Sequence, residues 1–116
     1  MATYSKSPSI SSAIEITNYT VNNTLQTLMT IPGNSYAIVQ IMFSEQSGSG
    51  GLVFKVGSAY LFNNHVPFGS IYGTGGTAFN IITGIYIGPG QAITAQTTGG
   101  YSMKVNISGA SFINNA

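Results

Sequence analysis

Glu15, Glu45 and His65 are the side chains of this 116-residue chain best suited to move a proton near neutral pH, and the chain has no Cys, Asp or Arg. Acid–base chemistry on a glycosidic bond needs two carboxylates flanking it. Glu15 and Glu45 fall in different segments, and no local pattern joins them. A Ser-His-acid triad would draw on His65, one glutamate and one of the 14 serines, but no Gly-x-Ser-x-Gly elbow occurs. One His and two Glu supply no cluster for a protein-only metal site. Gly48-Ser-Gly-Gly51 lacks the Lys and Ser/Thr of a phosphate loop. The expectation is therefore a protein that is not an enzyme and holds no metal or cofactor.

His65 sits in Asn63-Asn64-His65-Val66-Pro67, which reads as a polar loop. Tyr60 and Phe62 precede it, and Tyr72 adjoins a second glycine-rich stretch, Gly73–Gly76. Aromatic rings stack on sugars, and tyrosine concentrates at protein interfaces. Tyr60, Asn63, Asn64, His65 and Tyr72 thus make a candidate ligand loop for a glycan or receptor. Ordinary core and subunit packing is the competing reading, and the absence of Trp weighs towards it.

Composition bounds the elements that would position such a site. Charged residues are 4% of the chain, namely Lys6, Lys55, Lys104, Glu15 and Glu45, where about 25% is usual. Apolar residues are 43%, enough for a folded core. The polar surface must come from 14 Ser, 12 Thr and 10 Asn, which gives little repulsion between copies. That points to a protein living in an assembly. Three scattered lysines make no phosphate-binding stripe, so no nucleic-acid partner is expected. No apolar run reaches the ~18 residues of a membrane helix, and no membrane association is expected. The first eight residues carry no apolar core of a secretory signal. The length fits one domain, and without cysteine no disulfide can staple it.

From Ala13 onward, short β-like runs alternate with turn signals, the pattern of a sandwich or barrel. Tyr101, Met103, Val105 and Ile107 share one face, with Ser102, Lys104 and Asn106 on the other: a half-buried strand. Leu25 to Ile31 alternates less cleanly before the Pro32-Gly33-Asn34 turn. Tyr36 to Phe43 is apolar on both faces, which predicts cover on both, the second cover being either the other edge of the core or a partner subunit. Phe79 to Ile87 is similar, with Phe79, Ile81, Thr83, Ile85 and Ile87 on one face against Ile82, Gly84 and Tyr86. Gln46–Gly51 reads as a flexible loop, Gly88-Pro-Gly-Gln91 as a tight turn, and Thr97-Thr-Gly-Gly100 as a hairpin. No apolar stripe at helical spacing runs ten residues, so little or no helix is expected. The fold class is all-β: an antiparallel, jelly-roll-like β-sandwich of about eight strands over residues 13–116. Residues 1–12, Ser-rich with Pro8, read as an N-terminal arm. Contacts with a partner are expected from Tyr4, Lys6 and Pro8 in the arm and from Tyr36, Ile38 and Met42 on the doubly apolar strand.

Tyr86-Ile-Gly-Pro-Gly-Gln-Ala-Ile-Thr-Ala95, then Gly99-Gly100-Tyr101 and Ser108-Gly-Ala-Ser-Phe-Ile113, resembles the C-terminal β-hairpins of small tailed-phage virion proteins. Those proteins are capsid decoration (cement) proteins and head- or tail-fibre domains. The resemblance implies a jelly-roll-like homotrimer, assembled in the host cytoplasm and seated on the outer surface of the virion against the major capsid protein. The alternative it leaves open is a carbohydrate- or receptor-binding module of a fibre or tail tip. The lack of any shaft or coiled-coil segment favours decoration.

Overall fold

The computed structural model describes residues 9–65 and 79–113. Eight strands account for nearly all of them: β1 (Ser9–Val21), β2 (Gln26–Thr30), β3 (Ser35–Ser47), β4 (Gly50–Val56), β5 (Ala59–His65), β6 (Phe79–Ile87), β7 (Ala92–Gly99) and β8 (Ser102–Ile113). No helix occurs among the described residues. β1 begins at Ser9, inside the stretch expected to be an arm.

The strands form two antiparallel four-stranded sheets, ordered β1-β8-β3-β6 and β2-β7-β4-β5. This order has a simple origin. β1 pairs with β8, β2 with β7, β3 with β6 and β4 with β5, as if one long ribbon were folded at the β4–β5 turn. Successive rungs alternate between the sheets, and the pairs β3·β8 and β4·β7 close each sheet. That winding is a jelly roll. The expected fold class is what the chain adopts.

Period two decides which residues meet between the sheets. Ala37, Val39, Ile41 and Phe43 of β3 and Met103, Val105 and Ile107 of β8 are buried from one side. Leu52 and Phe54 of β4 and Ile93 and Ala95 of β7 are buried from the other. Full burial of each large side chain stabilises the fold by about 1.5–3 kcal/mol. Phe43 meets Phe54 and Phe62 edge to face, each at 5.2 Å between ring centroids.

Four local readings change. The hairpin expected at Thr97–Gly100 is a crossing between sheets, because β7 pairs with β2 and β4 while β8 pairs with β1 and β3. The Gln46–Gly51 loop is mostly strand, and only Gly48 and Ser49 lie between β3 and β4. Asn63, Asn64 and His65 belong to the edge strand β5, not to a loop. In β6 the pairing slips between Ile85 and Ile82, opposite Val39 and Ile41. That bulge, with Gly84 at φ +71°, reverses the faces upstream of it. Ile82 thus packs on the core with Ile85 and Ile87, while Ile81 turns outward with Tyr86.

The crossings are tied to one another. Gly88-Pro-Gly-Gln91 is a β-turn as expected, with Gly90 at φ +73° and the Gln91 amide donating to the Gly88 carbonyl at 3.1 Å. It bonds to the β2–β3 crossing through Gly90 N to Ile31 O at 3.0 Å and Ile31 N to Gln91 O at 2.8 Å. At the opposite end, Gly100 N donates to Ser49 O at 2.9 Å. There Asn23 braces the β1–β2 crossing: Nδ2 donates to Gly99 O at 2.7 Å and Oδ1 accepts from the Thr97 hydroxyl at 2.8 Å.

Tyr101 closes this end. Its ring is buried, and its hydroxyl donates to Gln46 Oε1 at 2.5 Å. Burial pushes its pKa from 10.0 up to about 12, because the phenolate loses its hydration there. The unfolded tyrosine ionises near 10, so this contribution is complete below that pH and disappears as pH rises through about 12. The melting temperature should fall between pH 10 and 12, and Tyr101→Phe should make that fall shallower. The variant should also lose about 0.5–1.5 kcal/mol at neutral pH with the hydroxyl bond. Equal pH slopes for the two proteins would rule out Tyr101 as the source.

Candidate functional site

The outer face of the β1-β8-β3-β6 sheet carries the residues that a polar sandwich would be expected to make hydrophilic. Tyr36, Ile38 and Met42 alternate outward along β3, opposite the buried row. Phe112 of β8 stands directly across from Tyr36, and their rings stack at 5.2 Å. Tyr86 of β6 stacks on the other side of Tyr36 at 5.7 Å. Three strands therefore contribute one aromatic row. Ile38 lies between Ala110 and Tyr86 in register and is 46% exposed. Further along, Met42 pairs with Ile81, itself 44% exposed. Gln40 and Ser108 interrupt the apolar band between them.

Tyr36, Ile38 and Met42, expected as contact residues, are thus brought onto one face. Tyr4, Lys6 and Pro8 lie outside the described residues. Tyr86, Phe112 and Ile81 belong to the same face and were not singled out. Phe112 was within reach, because the even positions of β8 from Ser102 run outward without interruption. Tyr86 and Ile81 depended on the Gly84 bulge, for which an isolated glycine in a strand is the sequence signal.

The described residues of the candidate ligand loop do not gather at one point. Tyr60 and His65 occupy opposite ends of β5, about 16 Å apart at strand spacing. The Tyr60 ring, 54% exposed, lies under the Lys55 ammonium at 4.9 Å. Asn64, at φ +60°, is the extra residue of a bulge between the Leu52–His65 and Val53–Asn63 pairs. Its Oδ1 accepts from the Thr98 hydroxyl at 2.6 Å, tying the edge strand to β7. That role is architectural. His65 is exposed, and Tyr72 lies outside the described residues.

Tyr60 instead faces β6. The open side of the sandwich, between the edge strands β5 and β6, holds a cavity of about 300 Å³ lined by Tyr60, Leu61, Gly84, Ile85 and Tyr86. Gln91 closes one end, with its Oε1 fixed by the Gly88 amide at 2.7 Å. Among the described residues, no three His, Cys, Asp or Glu side chains gather as metal ligands. Glu45 pairs with Lys104 at 2.9 Å, both partly exposed, an interaction worth about 0–1 kcal/mol.

The architectural assignment of Asn64 separates it from its neighbour. Asn64→Ala should lower stability by about 1–2 kcal/mol through the lost bond and the left-handed backbone. His65→Ala should stay within about 0.5 kcal/mol. Chemical denaturation of the two variants decides the point, and a larger loss at His65 would reverse the assignment. No protein-family model, no curated protein and no solved structure matches this chain.

Proposed function

We propose that this chain is a structural subunit of a virion, a homotrimer that decorates the capsid surface and braces the shell. The observation that carries the reading is the apolar outer face of the β1-β8-β3-β6 sheet. Contiguous exposed apolar surface marks an interaction site, whereas scattered single residues do not. Here the stacked row Phe112–Tyr36–Tyr86 and Ile38 form one contiguous patch, and Met42 with Ile81 form a second beyond the Gln40–Ser108 pair. Tyrosine and phenylalanine bury large rigid areas at little entropic cost, which suits a permanent contact. Covering this face by copies of the chain accounts for the double apolar pattern of β3.

A scaffold with 4% charged residues fits the same role. Little charge has to be stripped of water when surfaces close, and three copies together engage repeated capsid sites with an avidity that one copy lacks. The major capsid protein is the partner this reading requires. The glycan- or receptor-binding alternative places its site in Gln46–Gly51, Asn63–Pro67 and Gly73–Gly76 with the nearby tyrosines; Tyr60 and His65 lie at opposite ends of β5, and Gly73–Gly76 lies outside the described residues.

Light scattering on the purified protein should give three times the 12.1 kDa chain mass. Ile38→Lys should reduce it to one chain mass while leaving the β-sheet circular dichroism signal unchanged. The trimer should co-sediment with undecorated capsids. A monomeric parent protein sinks the trimer, and a trimer that ignores capsids sinks the virion role.

A further inference from the structure

The chain holds 10 asparagines, a residue whose carboxamide is chemically labile. Asn34 stands apart from the rest: it is followed by Ser35, and no other asparagine is followed by serine or glycine. We propose that Asn34 is a site of spontaneous modification, at which the backbone nitrogen of Ser35, assisted by the Ser35 hydroxyl, displaces the side-chain amide and leaves a new carboxylate. The chemistry needs no partner and no cofactor, only water.

The Ser35 nitrogen forms a bond to Asn34 Cγ and gives its proton to water. The Cγ–Nδ2 bond then breaks, and ammonia leaves. The cyclic imide that remains takes up water at either carbonyl, which yields aspartate or its main-chain isomer, isoaspartate. Nucleophile and electrophile belong to adjacent residues, so the covalent chain replaces an encounter in solution. A small following residue matters, because a stiff or bulky side chain crowds the ring as it closes.

The β2–β3 crossing supplies the rest. Pro32, Gly33 and Asn34 are exposed there, and a Cβ at Gly33 would meet nothing within 4 Å. Ser35 Oγ donates to Asn34 Oδ1 at 3.1 Å. That oxygen gathers negative charge as the nitrogen attacks Cγ, so the hydroxyl stabilises the charge where it develops. The Ser35 N–H donates to the Pro32 carbonyl at 3.1 Å, a turn bond whose opening breaks no rung of the sheet. The other asparagines lack this combination. Tyr19, Ile81 and Ile107 crowd Asn18, Asn80 and Asn106. The carboxamides of Asn23 and Asn64 are anchored away from their own next residue, to hydroxyls on β7.

The product matters in a chain with so few charges. The formal net charge of +1 becomes zero with one added carboxylate, the condition that favours association and precipitation. The isoaspartate form also lengthens the main chain by one methylene immediately before Ser35. Ser35 is buried and pairs with Ile113 at the start of β3, so the insertion falls where the strand enters its sheet.

Purified protein held in warm, mildly alkaline buffer should accumulate an acidic species on isoelectric focusing, and peptide mass mapping should place the change at Asn34. Asn34→Gln should abolish that species, because the longer side chain closes a larger ring more slowly. Ser35→Ala keeps the following residue small and removes the hydroxyl, and it should slow the conversion several-fold. The same protein unfolded in urea is the reference: Asn34 should convert in the folded chain at least as fast as in urea. Slower conversion in the folded chain would mean that the turn protects Asn34, and it would overturn the proposal. So would an acidic species that maps first to another asparagine, or a rate left unchanged by Ser35→Ala.

Discussion

Phe43 is where two sheets become one fold. It stands on β3, a central strand of its sheet, and meets Phe54 and Phe62 from the opposite sheet edge to face. The position follows from the chain itself. Phe43 lies five residues before Gly48, and Phe54 lies five after Ser49, so a two-residue crossing lays one ring over the other. The loop that closes this contact is short and costs little chain entropy. With β3 and β4 facing each other there, the remaining strands alternate between the two layers. β5 returns beside β4, β6 beside β3, and the ribbon winds up as β7 and β8 follow β2 and β1 home.

That dependence explains what the sequence discloses. The inner faces of β3 and β8 are plain in it, because an uninterrupted period of two needs no knowledge of partners. The all-β class and the number of strands follow from the same signal and the spacing of turns. Which strands pair is a different matter. Thr97-Thr-Gly-Gly100 has every residue a hairpin would want, yet it crosses between layers, since β3 and β4 already occupy the places beside β8 and β7. Local turn chemistry specifies that the chain reverses, and the core decides into which sheet.

The apolar face was half legible for a similar reason. Tyr36, Ile38 and Met42 announce themselves because β3 is regular where they lie. Ile81 and Tyr86 do not, because the Gly84 bulge exchanges the two faces of β6 part-way along. A strict alternation buries Ile81 with Ile85, and one extra residue turns it out. The bulge also makes the surface possible: without it the outer face of β6 could not present Tyr86 at one end and Ile81 at the other. His65 shows the converse error. Its polar neighbours suggest a loop, but asparagine tolerates the left-handed conformation that a bulge needs, and Asn64 uses it to keep the edge strand running.

Scarcity of charge connects the core to the surface. A β-sandwich with one wet face usually places lysine and glutamate on alternate positions, which both solubilises the face and guards its edges. This chain uses serine, threonine and asparagine instead, and tyrosine and isoleucine along β3 and β6. Hydroxyl and amide side chains satisfy water without repelling a neighbour, so the surface opposes association weakly everywhere. Specificity must then come from shape and apolar area rather than from charge pattern. The stacked row Phe112–Tyr36–Tyr86 supplies both, since rings held by their neighbours keep one conformation before and after contact and lose little entropy in making it. A surface that neither repels nor needs reordering is the least costly kind to bury.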